Sequence, residues 1–139
     1  MQLISGKPEM DVLKIDFDKL GGIVPVIIQD AADGYVLMLG FMNNEAFDLT
    51  VKTGLAHFWS RTKKRIWMKG ESSGHTQIVK EMHIDCDNDT LLIKVIQNGT
   101  AACHEGYRSC FYKRIKGNSV IIDGERIFNP EDVYSSETK

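Results

Sequence analysis

No apolar run in this chain approaches the roughly 18 residues that a membrane-spanning helix needs; stretches such as residues 35–39 are far shorter, which excludes a helical membrane protein. Charge of one sign is lacking too. Lys and Arg total 17 against 19 Asp and Glu, a net charge of −2, which argues against bulk nucleic-acid binding. Cysteine is scarce and odd in number, at three, so a disulfide-dense scaffold is excluded. There is no collagen-like repeat, low-complexity tract or linker, and 42% hydrophobic residues exclude strong disorder. The N-terminus shows no basic start followed by an apolar stretch, so no secretory signal is expected and a cytoplasmic location is. In that reducing compartment the three thiols should be free.

What is present reads as one domain over residues 1–139, long enough to bury roughly two-thirds of its unfolded surface without disulfides or metal. Its pattern is mostly strand-like. Residues 23–29 and 35–41 are apolar and flank turn chemistry at 30–34, which predicts a hairpin. Asn43 is placed to cap a helix over Asn44–Thr53 that ends at Gly54, with Ala46, Phe47, Thr50 and Val51 facing the core. Residues 55–60 and 65–69 predict two strands around a turn at 61–64. Residues 76–85 and 91–97 predict a longer pair around a turn at 87–90, and residues 107–115 and 119–122 another hairpin turned at 116–118. Asn129 and Pro130 break the pattern, and residues 135–139 read as a frayed tail. The fold class is α+β, predominantly β: a single compact domain with antiparallel hairpins and one main helix.

The cysteines carry the first chemical signal. Cys86 lies in DCDND at 85–89, and Cys103 and Cys110 bracket His104. No C-x-x-C knuckle occurs, so a zinc finger is poorly supported. Three thiolates converging on one soft metal would leave a position for water, the arrangement of a catalytic zinc. If residues 85–89 are extended, Asp85, Asp87 and Asp89 share one face and Cys86 the other. Carboxylates suit Mg²⁺ and a thiol suits Zn²⁺, and Cys86 would be free to reach a site completed by another subunit. Taken singly, a free cysteine reads as a small buried hydrophobe and an Asp-rich turn as a solvated one.

A second signal is a basic run, Arg61, Lys63, Lys64, Arg65 and Lys69, leading into the Gly- and Ser-rich residues 70–75. Glycine permits close backbone approach, and Ser73, Gly74 and His75 with the cations could cradle phosphate oxygens. A phosphorylated small molecule fits this better than a nucleic acid; the alternative is a plain charged hairpin rim. Trp59 and Trp67 read as core, and His57 and His83 as strand residues without obvious partners. His104 is the histidine best suited to proton transfer.

The motifs WSR at 59–61, WMKGESSGH at 67–75, DCDND at 85–89 and ACHEGYRSCF at 102–111 together resemble the phosphoribosyl-AMP cyclohydrolase family, as do QD at 29–30 and VLMLGFMN at 36–43. The resemblance spans about residues 20–112; Glu105 stands where many relatives carry Thr. It implies hydrolytic opening of the N1–C6 bond of the adenine ring in 1-(5-phosphoribosyl)-AMP, in histidine biosynthesis. It implies Zn²⁺ on Cys86, Cys103 and Cys110, Mg²⁺ on Asp85, Asp87 and Asp89, and an intertwined homodimer that shares Cys86. His104 is expected to be catalytic. Arg61, Lys69, Ser73, Gly74, His75 and Arg108 are expected to hold the substrate. The short stretch after Phe111 leaves no room for the pyrophosphohydrolase domain that some relatives carry, and neither membrane nor nucleic acid is an expected partner.

Two other readings compete. A zinc deaminase of the cytidine type needs H-x-E with P-C-x-x-C, and neither occurs. A binding module, with zinc as a dimer staple and the basic loop as a contact, predicts the same metal but no turnover.

Overall fold

The computed structural model describes residues 12–134, so the frayed tail expected at 135–139 lies outside the described residues, as does the N-terminal stretch 1–11 read for a signal. The first two strands, β1 (Val24–Asp30) and β2 (Val36–Met42), form the predicted antiparallel hairpin, with a bulge at Ile28/Gln29. Alternation in β1 sends Val24, Val26 and Ile28 fully into the core. Helix α1 (Asn44–Thr53) follows, with both predicted caps in place. The Asn43 side chain accepts from Ala46 N–H at 2.8 Å, and Gly54, at φ 74°, returns its N–H to the Thr50 carbonyl. Ala46, Phe47 and Thr50 are buried as expected. Val51 is not: it stays 59% exposed, because it sits at the edge of the stripe that Ala46, Phe47 and Thr50 define.

Strands β3 (His57–Ser60) and β4 (Arg65–Met68) make a small ribbon, with Lys64 at φ 54° in its turn. Phe58 is fully buried and packs against Trp67, ring centroids 5.1 Å apart. Strands β5 (Gln77–Ile84) and β6 (Leu91–Gln97) pair antiparallel, with a bulge between Val79 and Glu81. One pairing does not follow from hairpin logic. β6 also runs parallel to β1, Val26 opposite Leu91, giving the sheet order β2-β1-β6-β5. The apolar alternation of β6, with Leu91, Ile93 and Val95 buried, meets that of β1 in one core, which α1 and β3 cover from one side.

The last hairpin is shorter than expected. β7 (Lys113–Lys116) and β8 (Ser119–Ile122) pair, but residues 107–112 are not strand; loop contacts described below engage their backbone instead. A short helix, α2 (Pro130–Tyr134), follows the break read at 129–130: Pro130 begins it and the Asn129 side chain accepts from Glu131 N–H at 3.1 Å.

Candidate active site

The loop from residue 98 to 112 is irregular, yet backbone hydrogen bonds hold it closely around the cysteines. Ala102 and Cys103 N–H groups donate to the Arg108 and Tyr107 carbonyls at 3.0 and 3.1 Å, closing a tight turn over 103–107. Gly106 completes that turn at φ 93°, where a β-carbon would collide with the Phe128 carbonyl oxygen. Cys110 N–H donates to the Leu37 carbonyl at 2.8 Å and Ser109 Oγ to that of Val36 at 2.8 Å, which ties the loop to β2. From the far side, residues 125–128 strap it down. Arg108 N–H donates to the Glu125 carbonyl, Ile127 N–H to that of Gly106, and Arg126 Nε to that of Glu105.

This frame places Cys103 and Cys110 side by side. Cys103 is buried; Cys110 is exposed over part of its surface, but its thiol is desolvated, and that burial with the neighbouring Cys103 pushes its pKa up to about 11. Lys69, just beyond β4, donates its ammonium to the Ala102 carbonyl. Burial lowers its pKa, opposed by Cys110 and Cys103. Beside it opens a cleft of about 280 Å³ lined by Lys63, Arg65, Trp67, Lys69, Gly70, Ser73 and His104 among others. His104 is 77% exposed there, with Nε2 3.2 Å from Glu105 Oε1.

The phosphate candidates are brought together in part. Gly70 has φ 84°, and a β-carbon on it would collide with the His75 backbone, so the loop closes tightly on itself. Gly74 N–H donates to the Gly70 carbonyl at 2.8 Å, and Ser73 Oγ accepts from His75 N–H at 3.2 Å. The His75 ring packs edge-on against Phe128, and its carbonyl accepts from the buried Gln97 side chain at 2.9 Å. Arg61 lies in the β3–β4 turn with its guanidinium over the Phe41 ring, 4.0 Å from the centroid. Arg108 stands apart. It is paired with Asp33 at 2.7 Å and Asp30 at 3.4 Å, and it covers Tyr35.

The acidic motif is also assembled, although not on an extended strand. Residues 85–90 form a turn between β5 and β6, with Asn88 at φ 65° and Asp85 N–H donating to the Thr90 carbonyl at 3.0 Å. The opposite-face argument therefore does not apply; the turn itself gathers Asp85, Asp87 and Asp89 so that one carboxylate oxygen from each lies within 4.8 Å of the others. Asp85 Oδ1 accepts from Asp89 and Thr90 N–H, which outweighs partial desolvation and holds its pKa low. Asp89 is pushed up by desolvation and by Asp87. Cys86 is exposed and does not join Cys103 and Cys110 within the chain.

Several contributing side chains carry no local signal in the sequence. Lys19 bridges Asp87 and Asp89 at 3.4 and 3.5 Å, Asp30 and Asp33 hold Arg108, and Gln77 donates to Gln97 at 2.8 Å beneath the 70–76 and 98–100 loops. His57 and His83 do have partners: the Leu55 carbonyl and the Glu81 carboxylate, each at 2.8 Å.

The family model for phosphoribosyl-AMP cyclohydrolase matches residues 38–112, the span from β2 through the cysteine loop. Among curated relatives, phosphoribosyl-AMP cyclohydrolase of Nitratidesulfovibrio vulgaris is 55% identical over 119 residues, covering 86% of this chain and 94% of its own. That of Desulfatibacillum aliphaticivorans is 50% identical over 123 residues, 88% of this chain and 98% of its own. That of Methanococcoides burtonii is 51% identical over 126 residues, 91% of this chain and 98% of its own. The cysteine loop, the acidic turn and the Gly- and Ser-rich cleft thus sit within a chain that belongs to the phosphoribosyl-AMP cyclohydrolase family.

Proposed function

We propose that the chain hydrolyses the N1–C6 bond of the adenine ring in 1-(5-phosphoribosyl)-AMP, in histidine biosynthesis in the cytoplasm, as a homodimer holding Zn²⁺ and Mg²⁺. The observation that carries this reading is the pairing of Cys103 and Cys110 behind the cleft that His104 and Ser73 line. Two soft sulfur donors in contact fit Zn²⁺, and Cys86 of a second copy would be the third donor. The three carboxylates of the acidic turn are a hard oxygen set that fits Mg²⁺. When bound, zinc would supply the Lewis acidity that makes water nucleophilic near neutral pH.

The chain's own residues supply the rest. His104, exposed in the cleft with Glu105 Oε1 3.2 Å from its Nε2, accepts the proton of the attacking water and passes it to the departing ring nitrogen. The Ser73 hydroxyl proton is left to donate to a phosphate, because the Gly74 and His75 N–H groups are taken by the Gly70 carbonyl and by Ser73 Oγ, and Arg61 adds positive charge from the β3–β4 turn. Arg108, committed to Asp30 and Asp33, acts on substrate indirectly by fixing the cysteine loop.

The test is a spectrophotometric assay with phosphoribosyl-AMP. Ring opening that a zinc chelator abolishes and added zinc restores is the expected result. No turnover with both metals present would overturn the reading in favour of a zinc-stapled binding module.

A further inference from the structure

Lys69 is an uncommon kind of residue in this fold. Its ammonium is drawn out of water onto the Ala102 carbonyl, one residue before Cys103, and its field reaches both thiols. Among the described residues it has no carboxylate within ion-pair distance, as is also true of Arg61, Lys63 and Lys80, but those are exposed while Lys69 is partly buried, its ammonium 5.9 Å from the Trp67 ring centroid. An ammonium removed from solvent without a counter-charge is costly, and such groups persist where a partner compensates them. Among the described residues, the groups able to become anionic beside it are the sulfurs of Cys103 and Cys110. Three thiolates on a divalent zinc carry one net negative charge, which one ammonium cancels.

We propose that Lys69 is a positioning residue for the metal ligands: its ammonium is the fixed counter-charge of the thiolate–zinc group, and its bond to Ala102 sets where Cys103 stands. The inference rests on the zinc reading above. It gives Lys69 a role other than a phosphate contact, and it leaves the neighbouring Gly- and Ser-rich loop to the substrate.

The test uses the full-length protein, stripped of metal and titrated with Zn²⁺ against a chromophoric chelator. Lys69→Gln, which keeps a donor and loses the charge, should weaken zinc binding roughly 10- to 100-fold, the usual effect of losing a group that supports metal ligands. Lys69→Arg, which keeps the charge, should stay within a few-fold of wild type. The melting temperature separates this role from a purely structural one. A charge acting on the metal shrinks the stabilisation that zinc adds, in Lys69→Gln only. A mere loop tether lowers metal-free and zinc-loaded forms alike and leaves that increment unchanged. Equal zinc affinity and an equal increment in wild type and Lys69→Gln would overturn the proposal for Lys69 alone. A wild-type protein that takes up no zinc would overturn the zinc reading and this inference with it. If Lys69→Gln does not fold, Lys69→Met is titrated in its place, against the same Arg variant.

Discussion

His104 shows how far a single residue can be read from its neighbours in the chain. Its place beside Cys103 marks it out, and the cleft does include it; its pairing with Glu105 follows from adjacency and is equally legible. Replacing it should separate proton transfer from metal binding. His104→Ala is expected to lose roughly 10²- to 10⁴-fold in turnover while zinc content, read by elemental analysis, stays at the wild-type value. Unchanged turnover in the zinc-replete variant would remove His104 from the chemistry. Other residues are not legible this way. Lys19 reaches the acidic turn, and Asp33 reaches Arg108, across long separations in the chain that no local pattern encodes. Val51 misleads because an apolar residue beside a helical stripe and one within it look alike until the helix is rotated against a partner.

At the level of elements, capped and alternating segments are legible, and so are the turns at 61–64, 87–90 and 116–118; the bonding inside a turn is less so. Asn43, Gly54 and the apolar stripe of α1 give nearly the whole helix from local chemistry. The turn at 87–90 is legible from its Asp and Asn residues, whereas the opposite-face argument for Cys86 needed an extended 85–89, which the bonding of the Asp85 side chain to Asp89 and Thr90 N–H rules out. The cysteine loop depends on Gly106 in the same manner. Gly106→Ala must adopt a strained backbone and displace the Phe128 carbonyl, so a loss of about 1–3 kcal/mol is expected in urea unfolding, together with weaker zinc uptake. The tie between that loop and the β1–β2 turn has a pH signature. Asp33 has a lowered pKa because Tyr35 N–H and then Arg108 donate to it. Its stabilising contribution is therefore complete above the ordinary aspartate pKa of about 3.9 and fades as pH falls through the lowered folded value. Urea midpoints of Asp33→Asn and wild type should differ near neutrality and converge under strong acid; a constant difference would assign the effect to something other than this carboxylate.

Across the whole molecule, Cys86 stands apart from the Cys103–Cys110 pair, and the proposed second copy is what would bring the three thiols together. Neither Cys86→Ala nor Cys103→Ala should be active alone. Mixed and reassembled, they should recover roughly a quarter of wild-type activity, because about half of the dimers are then mixed and one of the two sites in each of these keeps all three thiols. No recovery, with mixed dimers demonstrated by mass, would mean that each copy completes its own site. The sheet order is the global feature least legible in the sequence: hairpin signals announce antiparallel neighbours, while nothing local announces that β6 lies beside β1. That parallel pairing has a consequence in time. During synthesis the β1–β2 hairpin and α1 emerge first, with the inner edge of β1 unpaired until β6 leaves the ribosome. The acidic turn is the link that leads directly into β6, and the cysteine loop follows β6 immediately. Both candidate metal sites are therefore set in place by the strand that closes the sheet, so a chain that has not finished folding presents neither of them in final form.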